Sequence, residues 1–87
     1  MTDGTSQLIV ERVDFLPSRP DWIFVTGTLS GDPVSVGDKV SIHNGDQATS
    51  TIIKSIEIHS RPGKTTILLD ADLRPIVTAG TVIRREQ

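Results

Sequence analysis

The 87-residue sequence has no cysteine and no tyrosine, and its only aromatic residues are Phe15, Trp22 and Phe24. Without a thiol there is no disulfide framework, thiolate metal site, redox motif or cysteine nucleophile, and a reducing, cytoplasmic setting is expected. Long apolar runs are missing too. Residues 1–10 have neither a basic start nor an extended apolar stretch, so neither a secretory signal nor a membrane partner is expected. Nine Lys and Arg against eleven Asp and Glu give a net charge of −2. A nucleic-acid binder relying on bulk positive charge is thereby excluded, and any RNA contact has to be local. Helix signals are equally scarce: no stretch keeps apolar residues at three-to-four spacing for three turns.

What is present points to β structure. Apolar residues make up 36% and charged residues 23%, the balance of a globular domain rather than of a disordered chain. Val, Ile and Thr, which are stiff at χ1 and favour strands, account for 28 positions. Short apolar or alternating runs recur between clusters of Gly, Pro, Asn and Asp, and they predict strands over 7–16, 22–30, 39–43, 49–60, 64–69 and 81–85. In the second of these Ile23 and Val25 face the core while Trp22, Phe24, Thr26 and Thr28 share the opposite face. Val40 and Ile42 point inward in the third. Asn44-Gly45 reads as a type I′ hairpin turn with both residues at positive φ. The step from Ile53 to Ile56 breaks the two-residue period, so a bulge near Lys54-Ser55 is expected to return Ile53, Ile56 and Ile58 to one face. The segment 70–78 is an irregular connection with room for a short helical turn. The sum is an all-β fold, a small six-stranded closed or nearly closed antiparallel β-barrel over 7–85, with a flexible start at 1–6 and an end at 86–87.

Four segments in order carry a family resemblance: Phe24-Val-Thr-Gly27-Thr-Leu-Ser-Gly31, Val36-Gly-Asp-Lys-Val40, Ile53-Lys-Ser-Ile-Glu-Ile-His59 and Ala79-Gly-Thr-Val-Ile83. Together they resemble the second, β-barrel domain of translational GTPases, elongation factor Tu among them, with its V-x-T-G, V-G-D-x-V, V-x-x-I-E-M and R-G-x-V-L strands. The resemblance implies a binding role; with no GTP-binding domain expected alongside the barrel, neither GTPase activity nor nucleotide triphosphate binding is expected. In the family the barrel contacts either ribosomal RNA or the terminal adenosine and amino acid of a charged transfer RNA. Carried over by position, Glu57 matches the Glu of the I-E-M strand, His59 its aromatic or His, and Phe24 and Thr26 the facing second strand. Ser55 stands where the family often has glycine. The departures are the longer 17–21 turn and a shortened stretch after His59, both beside the implied pocket.

Other chemistry is thinly represented. Gly63-Lys64-Thr65 looks like the end of a phosphate loop, but the glycine required five residues earlier is Ile58 and a strand follows, so a hairpin turn is expected. His43 and His59 are the only histidines, and neither has a nucleophile or a third ligand at useful spacing. Asp70 and Asp72 lack the further oxygen ligands that a hard cation needs. No cofactor, metal or enzymatic activity is therefore expected. Trp22 and Phe24 suit base stacking, or else cover an open end of the barrel. Arg19, Arg61 and Lys64 suit a local phosphate rim, or else are solvated loop charges. The expected function is a non-catalytic module contacting an RNA end, an aminoacylated end or ribosomal RNA; the alternative is a protein-interaction or oligomerisation barrel that has lost the nucleic-acid site.

Overall fold

A computed structural model describes residues 6–57 and 62–86, and in it the β-rich composition becomes one antiparallel sheet. Its strands are β1 (Gln7–Asp14), β2 (Trp22–Ser30), β3 (Lys39–Asn44), β4 (Gln47–Ile52), β5 (Ser55–Glu57), β6 (Thr65–Asp70) and β7 (Val82–Arg85), with a 3-10 turn at Ala71–Leu73 after β6. They lie in the order β4-β3-β7-β1-β2-β6-β5. The strands β4 and β5 are thus at opposite edges, although only Ile53 and Lys54 separate them in sequence. Two residues span a few ångströms, so the sheet has to curl until its edges approach one another. Ile53 and Lys54 make the link: Ile53 accepts from the Gly37 N–H at 2.9 Å and donates to the Asp38 carbonyl at 3.0 Å, while the Lys54 N–H donates to the Leu68 carbonyl at 2.9 Å. No helix among the described residues is long and apolar enough to cross a membrane.

Among the described residues seven strands replace the six expected, and no ladder joins β4 to β5, so the curled sheet is a half-barrel rather than a closed barrel. The cause is at Ile53-Lys54. Instead of bulging within one long strand over 49–60, the chain leaves the ladder with β3 and joins the one with β6. The β3–β4 turn also differs from expectation. Asn44 pairs with Gln47, so Gly45 and Asp46 form the two-residue loop, and only Gly45, at φ 60°, has positive φ. One glycine at the first central position is the type II′ solution, which matches the twist of the flanking strands as well as type I′ does.

Every second residue of the central strands faces the concave side. Leu8, Val10, Ile23, Val25, Val40, Ile42, Ile53, Ile67, Leu69, Val77 and Ile83 form one buried aliphatic cluster, with Ile56 half-buried against it. Ile58 lies outside the described residues. Removing such side chains from water is worth about 1.5–3 kcal/mol each. A bulge does occur, in β1: Val10 pairs with Gly27 and Arg12 with Thr26, leaving Glu11 as the extra residue. The strands are pressed together there. A Cβ on Gly27 would stand 2.1 Å from the Ile9 carbonyl oxygen, so only glycine allows β1 to cross so closely. The start of the sheet is also tied down, since the buried Ser6 donates to the Asp32 carbonyl at 2.5 Å and accepts from the Arg85 N–H at 3.1 Å.

Candidate functional site

The convex side of β1, β2, β6 and β5 is organised by register into two cross-strand rows. Asp14, Phe24, Leu68 and Ser55 form one, and Arg12, Thr26, Thr66 and Glu57 the next. Leu68 and Thr66 are only 6% and 8% exposed although they point away from the main core. Over these rows lies a groove of about 540 Å³. Half-buried Phe24 and Thr26 line it together with Thr66, with Glu57 on the β5 side, Glu11, Arg12 and Asp14 on the β1 side, and Lys64 reaching across to Glu11. The exposed Phe15 and Leu16, which follow β1, complete its wall. A second depression of about 300 Å³ adjoins it, sharing Leu16, Phe24 and Glu57 and adding Trp22 and Arg19.

The polar groups are mutually engaged. The Thr26 and Thr66 hydroxyls are 2.8 Å apart, and either can donate. Glu11 accepts from Lys64 Nζ at 2.5 Å and from the Thr28 hydroxyl at 2.7 Å. The hydrogen bond from Lys64, then that from Thr28, holds the Glu11 carboxyl below its ordinary value, against a smaller opposing effect of desolvation. Arg12 Nε donates to Asp14 at 2.9 Å. Arg19 lies 5.3 Å from the Trp22 ring centre, and Arg74 lies 4.6 Å from that of Phe15, both at cation–π distance. The groove therefore holds three carboxylates against two cations, and those cations are already partnered. It favours an apolar or aromatic group carrying hydrogen-bond donors over a run of phosphates.

Phe24, Thr26, Glu57 and Lys64 thus line one groove, and Trp22 and Arg19 line the depression beside it. His59 and Arg61 lie outside the described residues. Sequence reasoning missed Glu11, Arg12, Asp14, Phe15, Leu16 and Thr66. Alternation read straight through β1 alternates the faces of Glu11 and Arg12; the bulge turns both outward, and the only signal for it is a break in period between two polar residues. Thr66 needed the β2–β6 register, which sequence alone does not supply.

The remaining candidates sit elsewhere. His43, exposed near the end of β3, has its Nε2 3.0 Å from the Ser41 hydroxyl. Lys64-Thr65 leads into β6 rather than a helix, as a hairpin turn requires. Asp70 lies 3.8 Å from Lys54 Nζ. Among the described residues no group of three or more His, Asp or Glu is placed to hold a metal ion. No known protein family matches the sequence, and no curated protein shows significant similarity to it, so the functional reading rests on this groove.

Proposed function

We propose that this chain is a non-catalytic binding module built like the second domain of translational GTPases, whose groove receives the terminal nucleoside of an RNA, free or aminoacylated. In this reading the half-barrel is that family's barrel, opened at the seam between β4 and β5. The observation that carries the reading is the convergence of Phe24 and Thr26 from β2 and Glu57 from β5 on one groove. Phe24 offers a ring on which a base stacks. The Thr26 and Thr66 hydroxyls and the Glu57 carboxylate offer hydrogen bonds to base or ribose edges. With Lys64 held by Glu11 and Arg12 by Asp14, affinity comes from the nucleoside rather than from phosphates. Its salt dependence is accordingly shallow, near one released counterion with a logarithmic slope of about −0.7. The alternative, a protein-interaction or oligomerisation domain, draws on the open edge at β4 and on the net charge of −2.

The test is an NMR titration of the labelled chain with a short CCA-ended RNA at low and at higher salt. Shifts clustered on Phe24, Thr26, Thr66 and Glu57, abolished by Glu57→Ala and little changed by salt, support the reading. Absence of shifts at about 1 mM RNA, where even a 4 kcal/mol interaction registers, overturns it.

A further inference from the structure

The two edges of the sheet are protected very differently. Strand β5 follows directly on Lys54 and carries Glu57, charges of the kind with which natural sheets blunt an edge. Strand β4, Gln-Ala-Thr-Ser-Thr-Ile, has six residues, no charge, no proline and no bulge. Its hairpin fixes which backbone groups remain open. Asn44 and Gln47 close a two-residue loop and are a hydrogen-bonded pair, so the pairs Ile42–Thr49 and Val40–Thr51 are hydrogen-bonded as well. Ile53 keeps that parity through its bonds to Gly37 and Asp38. The N–H and C=O groups of Ala48, Ser50 and Ile52 therefore point away from β3, over the open edge. Among the described residues no backbone hydrogen bond reaches them.

We infer that β4 pairs antiparallel with β4 of a second copy of this chain, about a two-fold axis at Ser50. In that register Ser50 faces Ser50 and Ala48 faces Ile52 twice, giving about six new backbone hydrogen bonds. The flanking charges select this arrangement. Asp46 and Lys54 lie four residues to either side of Ser50, so antiparallel pairing sets each against its opposite, whereas an in-register parallel pairing sets like against like. Lys54 makes an exposed contact to Asp70 at 3.8 Å, weak enough to be exchanged. Two exposed apolar side chains stand at the same end of the edge: Ile52, 47% exposed, and Val36, 61% exposed, next to the Gly37 that bonds to Ile53. The pairing leaves the groove on β1, β2, β6 and β5 untouched and does not depend on its ligand. A strand-wide interface is narrow, so the dimer is weak and forms with rising concentration.

Sedimentation equilibrium and amide hydrogen exchange on the intact chain, from about 10 µM to about 1 mM, test this. The expected result is a mass rising toward the dimer, with slower exchange at Ala48, Ser50 and Ile52 alone. At a total concentration tenfold above the dissociation constant about one protomer in five is free, so the slowing is about fivefold, while Gln47, Thr49 and Thr51 are unchanged. Asp46→Lys weakens association roughly two- to fivefold, and adding Lys54→Asp restores it. A monomer at every concentration, a dimer without concentration-dependent protection of those three amides, or a charge swap that fails to restore association overturns the inference.

Discussion

The two faces of β2 and β6 are made by alternate residues of the same strands, yet they do different work. On the concave face Ile23, Val25, Ile67 and Leu69 are at most 1% exposed and wholly aliphatic. On the convex face the same strands carry Trp22, Phe24, Thr26, Thr66 and Leu68, a mixture of rings, hydroxyls and one leucine outside the main cluster. These four side chains fill the concave face without a polar atom. The convex face holds two of the three aromatic residues of the sequence where the core does not use them, beside hydroxyls and carboxylates placed by register. A sheet needs only one buried face to be stable, so residues of the second are free to serve recognition.

The sharpest way to separate the faces is to truncate each in turn. Leu69→Ala leaves a cavity in the concave core and is expected to cost about 2–5 kcal/mol in chemical denaturation, with no local change at the groove in whatever fraction stays folded. Gly27→Ala comes next. Its methyl group cannot be accommodated 2.1 Å from the Ile9 carbonyl without moving β1, so a loss of about 1–3 kcal/mol is expected. Because that movement relaxes the bulge, the Glu11, Lys64 and Thr28 signals should shift as well. An unshifted Glu11 in a destabilised Gly27→Ala variant would show that the bulge does not depend on the close crossing.

The concave face was legible in the sequence and the convex site was only half so, for physical reasons. Strict alternation from Trp22 to Leu29 reveals a strand with one buried face, and β2 runs from Trp22 to Ser30 as the pattern predicts. Turns at Gly37-Asp38 and Pro62-Gly63 bound β3 and β6 within a residue or so. What failed depended on contacts between strands. The run Thr49 to Ser60 carries no local sign that it changes partner at Ile53-Lys54, because that change is set by the curl of the whole sheet. Asn44-Gly45 signals a turn but does not fix which two residues form the loop. Phe15 and Leu16 read as the end of an apolar strand, whereas they leave β1 after Asp14 and form a wall of the groove. Of the residues that the family resemblance singled out, Phe24, Thr26 and Glu57 share the groove, yet its opposite side came from a bulge that periodicity could not show.

On the convex face the expected effects are smaller in stability and larger in binding. Phe24→Ala should cost the half-buried site less than a core truncation does, while removing about 1–3 kcal/mol of nucleoside affinity through lost stacking. Fluorescence of the single tryptophan, Trp22, which lines the adjoining depression, offers a direct readout of that binding. Thr66→Val keeps the shape and removes one hydroxyl of the pair with Thr26. It should cost about 1 kcal/mol of stability, and a loss well beyond that would mark the outer face as a second structural core.

The smallest effect belongs to Glu11, and it tests how the groove holds its charge. Its carboxyl is held below the ordinary value of 4.5 chiefly by the hydrogen bond from Lys64 and then by that from Thr28. A group whose folded-state value is depressed contributes stability that is present above the ordinary value and lost as pH falls through the depressed one. Glu11→Gln should therefore be slightly less stable than the parent at neutral pH, with the gap in denaturation midpoints closing in acid as Glu11 itself becomes protonated. A gap of constant size from neutral to acid pH would mean that the 2.5 Å contact adds nothing through charge. The same substitution weakens the hold on Lys64, so RNA binding by the variant should become steeper in salt by about one phosphate contact, a change in slope of about −0.7. If the slope is the same as the parent's while stability changes as expected, Lys64 serves only to close the rim of the groove, and recognition there is carried by Phe24, the two threonines and Glu57.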